Sequence, residues 1–210
     1  MFCKHAQQIS ALLPTSSKEI FLQRLESNLV SNDSQARCLT LKVLQQLPSF
    51  LQVRLNVQHL ILHILTTTND QKERKVATST IQKISSQSDL FAKSIMAQIE
   101  MRILSTEEYF DHQTCAELVQ AMANVPGDTS TVLMFYQTIE RLYKQRKELR
   151  AVLIRSLLRI TLKAPILYDL VFEFVKSEPL AVEVLSKKYS VIYPTQLDAM
   201  KKLVGASCNE

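Results

Sequence analysis

The sequence predicts an all-α fold, an α-solenoid of stacked helical hairpins with no β-sheet, and three observations carry that expectation. The segment Ser31-Asn32-Asp33-Ser34-Gln35-Ala36-Arg37 returns in outline as Thr68-Asn69-Asp70-Gln71-Lys72-Glu73-Arg74, with Asn, Asp and Arg each displaced by 37 positions. A period of this size belongs to helical hairpins that stack in layers. Glycine occurs only at Gly127 and Gly205, and Trp not at all. β-Hairpins, tight βα turns and phosphate-cradling loops draw on glycine's left-handed conformations, so a chain this poor in glycine is disfavoured for all of them. Finally, Pro14, Pro48, Pro126, Pro165, Pro179 and Pro194 all fall between predicted helices or in a first turn. A missing N–H costs little there.

Taken in order, helices are predicted at 3–13 and 17–30, on either side of Pro14. The next, 33–47, opens on an Asx pair whose side-chain oxygens cap free N–H groups, and Arg37 stands four residues after Asp33, placed for an i,i+4 ion pair. Leu39, Leu41, Val43, Leu44 and Leu47 make this helix apolar on more than one side, as suits a helix lying between neighbours. Helix 50–66 carries Val53, Val57, Leu60, Ile61 and Ile64 at i, i+4, i+7, i+8 and i+11, a buried stripe of helical period. Helix 70–85 repeats the Asx–Arg opening through Asp70 and Arg74. In helix 88–104, Phe91, Ile95, Met96, Ile99 and Ile103 form the stripe, while Lys93, Gln98, Glu100 and Arg102 face elsewhere.

A third copy of the repeat is expected to start at Thr106, where the Asx–Arg signature is missing and Thr-Glu-Glu begins helix 107–123. Glu107, Glu108 and Asp111 read as first-turn acids favoured by the helix macrodipole. Val125-Pro126-Gly127-Asp128 reads as a turn followed by a cap for helix 129–145. Helices 147–163, 166–176, 179–189 and 195–204 follow without a clean period, and 205–210 are expected to fray. The whole is read as one elongated solenoid domain, 1–210, with its clearest repeats at 31–104.

Four cysteines at 3, 38, 115 and 208 lack the short spacings of zinc or redox motifs. Cys38 and Cys115 sit among apolar helix residues, where a thiol acts as a small hydrophobe, and a reducing compartment is expected. Met1 to Pro14, with Lys4 and His5, make a poor signal peptide. No uncharged apolar run approaches the roughly 18 residues of a membrane span. The chain is expected to be soluble and intracellular.

No catalytic constellation is found. His59 and His63 share a helix face at i,i+4, yet His59-Leu60-Ile61-Leu62-His63 lacks the glutamate that a zincin places after its first histidine. Nucleophile elbows, Walker loops and dinucleotide fingerprints are missing as well. The expectation is therefore a non-enzyme without catalytic residues, cofactor or metal.

Charge is the strongest remaining feature. The net charge is +5, but from 141 to 163 eight Lys/Arg face the single Glu148, a local +7. Arg155, Arg159 and Lys163 at i, i+4, i+8 form one cationic stripe, and Arg141, Lys144, Arg146, Lys147 and Arg150 crowd the preceding turn and helix ends. Three readings stay open for these eight residues: a solvated face paired with Glu140, Glu148 or Asp169; a partner patch for an acidic protein surface; or salt-dependent contact with the phosphates of RNA or DNA. Tyr143 is the only aromatic residue in the segment, which argues against sequence-specific RNA reading.

The wording of the first repeat supplies a resemblance. Phe21 to Leu44, FLQRLESNLVSNDSQARCLTLKVL, resembles the opening armadillo/HEAT repeats of the family of the Integrator complex's seventh subunit, through Asn32, Asp33, Ala36, Arg37, Thr40 and Leu41. Arg54, Asn56 and His59 continue the pattern, as do Ser88, Phe91 and Ala92. The similarity covers about residues 20–104; Ser34 stands where the family often has Pro, and the family continues through many more helices. The resemblance implies a nuclear scaffold bound to other protein subunits of a multiprotein complex, acting in small nuclear RNA 3′-end processing and RNA polymerase II transcription control. Competing expectations are a nucleic-acid binder using 141–163 and a cytoplasmic adaptor or coat-type solenoid. Asp33, Arg37, Asp70 and Arg74 are expected to be architectural.

Overall fold

A computed structural model of the chain describes residues 14–51, 54–105, 110–125, 128–161, 164 and 167–175. Helix α1 is Thr15–Leu29, α2 Ser34–Leu44, α3 the single turn Pro48–Leu51, α4 Leu55–Thr67 and α5 Gln71–Ser85. Then come α6 Asp89–Leu104, α7 His112–Met122 and α8 Thr129–Gln145, a 3₁₀ turn at Lys147–Leu149, α9 Arg150–Thr161 and α10 Tyr168–Val175. No strand occurs among the described residues. The predicted helices at 3–13, 179–189 and 195–204 lie outside them.

Short polar side chains start five of these ten helices. Asp33 and Asp70 each accept a bond from the N–H two residues on, Gln35 and Lys72, at 2.8 Å. Asp111 accepts from the Thr114 N–H, Asp128 from Thr131 and Ser88 from Phe91. Each cap satisfies a donor with no partner inside its own helix. Asp111 is thus a cap rather than a first-turn acid. It stands 41 residues after Asp70, so the third copy starts later than the 37-residue register predicts. Thr106, Glu107 and Glu108 lie outside the described residues.

Packing arranges the helices in two rows. One row runs α1, α4, α6, α8 and the other α2, α5, α7, α9; the pairs α1/α2, α4/α5, α6/α7 and α8/α9 are the hairpins that join them. Between the rows a single apolar cluster runs without a break from Leu22 to Val171. The predicted α6 stripe, Phe91, Ile95, Met96, Ile99 and Ile103, is wholly buried in it. Val57, Ile61 and Ile64 of α4 are buried as the period requires.

Three expectations need correction. The helix predicted at 50–66 is two pieces: α3 ends at Leu51 and α4 starts after Arg54, whose side chain reaches α1 to pair with Glu19 at 2.5 Å and Glu26 at 3.0 Å. Helix α2 does lie between α1 and α5, with Leu41, Val43 and Leu44 buried, and Leu47 just beyond it buried too, but Leu39 is 56% exposed, on the arc that neither neighbour covers. Arg37 does not pair with Asp33. Asp33 is occupied in capping, and the guanidinium extends instead to Glu73 in the next layer.

Candidate partner-binding surface

Arg37 donates to Glu73 through both Nε, at 2.5 Å, and Nη2, at 2.8 Å, and its Nη1 bonds the Ser31 carbonyl. Glu73 is 0% exposed and also accepts from the Thr68 hydroxyl. Burial disfavours its charge, but the bonds from Arg37 and Thr68 outweigh that and hold its carboxyl below the ordinary range. Arg74, the repeat equivalent of Arg37, does the same one layer further on, bonding Glu117 at 2.7 Å and Thr114 at 2.8 Å. Gln45 to Thr80 and Gln82 to the Gln120 carbonyl add parallel links along the second row. In the first row Gln58 of α4 meets Ser94 and Gln98 of α6, and Glu100 of α6 meets Arg141 and Thr138 of α8. These polar ties fix the spacing and rotation of successive layers, and so fix which side chains each row shows to solvent.

The residues of the basic segment fall into two groups. Arg141 is paired with Glu100, and Lys144 with Glu140 at 2.7 Å. Arg146 bonds Glu148 at 2.5 Å and the Ile103 carbonyl, with the Cys115 sulfur 3.8 Å away, so it closes the C-terminus of α6 rather than facing solvent freely. Arg150 lies over the Tyr143 ring, 4.6 Å from its centre. Tyr143 is buried edge-on against Phe174, which removes it as a base-stacking platform. Lys147, Arg155 and Arg159 are exposed, and among the described residues no carboxylate lies within ion-pairing distance of them. Lys163 and the Asp169 side chain lie outside the described set.

Stacking gives the two rows unlike outer faces. Helix α4 contains no Asp, Glu, Lys or Arg, and shows Leu55, His59 and His63 to solvent. Beside it α6 shows Leu90, Ala97 and Met101 at i, i+7, i+11, with Leu90 61% and Met101 70% exposed. The second row is cationic. Lys42 of α2, Lys72 and Lys75 of α5, and Arg155 and Arg159 of α9 are all exposed. Neither α2 nor α9 contains an acidic residue. The acids within α5 and α7 are Glu73, which is buried, and Glu117, which is held by Arg74. Lys42 and Lys72 line one groove with Ser34, Gln35, Cys38, Leu39 and Asp70.

Sequence reasoning located the basic stripe of α9 but missed Lys42, Lys72 and Lys75, because charge counted along the chain does not register residues brought together from different layers. Their signal was the lack of acids on the exposed arcs of α2 and α5. The partners of the repeat arginines were missed for the same reason. Glu73 was readable in part: it occupies the place that Ala36 holds in the first copy. His59 and His63 are both exposed on one face, as their spacing implies, and no group of three or more potential metal ligands forms among the described residues. Cys38 and Cys115 are buried free thiols whose pKa burial pushes up.

Two rows of helices, tied layer to layer by side-chain bonds and exposing one neutral and one basic face, define a helical-repeat protein of the α-solenoid class. Residues 4–169 match the family described as Integrator complex subunit 7, N-terminal. The chain belongs to that family, and the match extends beyond the 20–104 region in which the resemblance is legible by eye. No match is found among curated proteins. No described helix is long and apolar enough to cross a membrane.

Proposed function

We propose that the chain is a non-catalytic scaffold subunit of an Integrator-type complex in the nucleus, serving small nuclear RNA 3′-end processing and RNA polymerase II transcription control. The observation that carries this reading is the family match over 4–169. Its physical support is that the polar side chains buried or half-buried in the stack, such as Glu73, Gln58 and Arg74, are spent on holding neighbouring layers. A stack held in this way presents long, fixed surfaces on which partners are bound by many modest contacts. Among the described residues of the basic segment, Lys147, Arg155 and Arg159 are the members of the partner patch free to meet another molecule.

Affinity purification of the tagged chain from nuclear extract, with mass spectrometry, tests the reading. Recovery of other Integrator subunits is the expected result. Recovery of cytoplasmic coat or adaptor proteins without them would sink it.

A further inference from the structure

We infer that the outer face of the second row is a docking surface for an extended acidic peptide, a segment of a partner protein that lies across α2, α5, α7 and α9. The inference rests on the scaffold reading and gives one partner of that scaffold its chemistry.

Five cations define the two ends of the track. Lys42, Lys72 and Lys75 stand at one end and Arg155 and Arg159 at the other, exposed and with no carboxylate of the described residues in reach. Leaving five like charges unpaired on one face raises its potential and favours an anionic partner. Between them α7 contributes no Lys or Arg. Its exposed side chains are His112, whose ring bonds the Glu148 carbonyl, Gln113, which donates to Glu117, and Gln120, while its acid, Glu117, is tied to Arg74 as well. The Gln120 amide can both donate and accept, which is what the main chain of an extended peptide offers in return. The Lys42 and Lys72 groove also holds Asp70, whose carboxylate is engaged in capping α5 and leaves two cations against one acid there, and the exposed Leu39 side chain, which gives one apolar residue of the peptide something to pack on.

The same features argue against nucleic acid. A phosphate backbone carries charge at every step and would cross α7 unmatched, whereas a peptide can place acids only at its ends. Single strands are held in addition by stacking on aromatic rings. None of the four helices of this row contains Phe, Tyr or Trp.

Geometry fixes the length of the peptide. Packed helices lie about 8–10 Å apart, so three steps from α2 to α9 span roughly 27 Å. An extended chain covers that distance in about eight residues at roughly 3.3 Å each. The preferred sequence thus has acidic residues at both ends, a neutral centre and one apolar side chain near the α2 end.

Fluorescence anisotropy with the full chain and a dye-labelled peptide of about ten residues, glutamates at both ends and a leucine near one of them, tests this. The comparison probes are the same residues with the glutamates moved to the centre and an oligouridine of equal charge. The end-charged peptide is expected to bind most tightly. The double substitution Lys42→Gln/Lys72→Gln should weaken it about tenfold, and Arg155→Gln/Arg159→Gln by a similar factor, as the loss of two exposed ion pairs implies. Arg24→Gln, an exposed cation on α1 in the first row, should leave binding unchanged. All these side chains are exposed, and matching thermal melts establish that the variants are folded. Tighter binding of the oligouridine, equal binding of the centre-charged peptide, no binding of either peptide, or indifference to both double substitutions overturns the inference. Because the assay uses purified components, its failure is distinct from failure to recover Integrator subunits from extract.

Discussion

Arg37 on α2 and Glu73 on α5 join two layers of the stack through a two-pronged ion pair, Nε to Oε1 at 2.5 Å and Nη2 to Oε2 at 2.8 Å, with the carboxylate wholly buried. Removing one partner from such a pair leaves an uncompensated buried charge. Arg37→Ala is therefore expected to destabilise the fold by about 3 kcal/mol. Arg37→Leu combined with Glu73→Leu should cost distinctly less, since both charges leave together. Urea denaturation of the three proteins checks this, and equal losses for the single and double variants would contradict it.

The same carboxylate makes stability depend on pH. Its folded pKa lies below the unfolded value of about 4.3, so the unfolded chain binds the proton more readily. The stabilisation from the pair is present above that value and is lost as pH falls through it toward the folded pKa. Asp111, Asp128 and Glu148 are shifted in the same direction by hydrogen bonds from Thr114, from Ser130 and Thr131, and from Arg146. Melting temperature should thus fall steeply on acidification below about pH 4.3. Glu73→Gln, less stable at neutral pH, should show a shallower fall over the same interval.

The Asx positions of the repeat are expected to behave as caps and nothing more. Asp70 accepts from the Lys72 N–H and makes no ion pair with Arg74, which is engaged with Glu117. Asp70→Ala should cost about 1 kcal/mol, and Asp70→Asn little, since an amide oxygen caps as well as a carboxylate. If the repeat's Asp–Arg spacing reflected an ion pair, Asp70→Asn would instead lose most of what Asp70→Ala loses. Thermal unfolding of the two variants separates these outcomes.

What the sequence made legible follows from the range of the forces involved. Caps such as Asp33 and Asp70, and the apolar stripe of α6 from Phe91 to Ile103, depend on residues within the same helix, and a linear reading recovers them. The break before α4 was hidden because Val53, Val57 and Leu60 keep helical period across it, and the contacts that Arg54 makes there, to Glu19 and Glu26 on α1, come from another helix. Arg37 and Arg74 were identified as architectural, but with the wrong partners. A guanidinium on a long stem spans the gap to the next layer as readily as one turn of its own helix, and the buried Glu73 and half-buried Glu117 win over a solvated cap. The basic face is the least legible feature, since Lys42 and Lys72 come into one groove, and onto one row with Arg155, only through stacking.

The first row carries a test of how far buried polar links govern layer spacing. The Gln58 amide is fully buried: its Nε2 donates to the Leu51 carbonyl at 3.0 Å, and its Oε1 accepts from Ser94 Oγ at 2.7 Å and Gln98 Nε2 at 2.8 Å. Gln58→Leu fills the space with apolar atoms but takes a partner from three groups: the Leu51 carbonyl keeps only the long bond from the Arg54 N–H at 3.4 Å, and Ser94 Oγ and Gln98 Nε2 keep only their bond to each other at 3.3 Å. With those weaker bonds retained, the loss is expected to be about 2 kcal/mol, near the cost of one buried polar group left unsatisfied. Gln98 differs, because its own Oε1 is buried without a hydrogen-bond partner. Gln98→Met deletes that unsatisfied oxygen and leaves Gln58 still bonded to Ser94 and Leu51, so a loss under about 1 kcal/mol is expected. Chemical denaturation read at Tyr fluorescence measures both. A Gln98→Met loss as large as that of Gln58→Leu would mean that the α4 to α6 junction is held by the whole amide pair, whereas the unequal outcome places the junction on Gln58 alone.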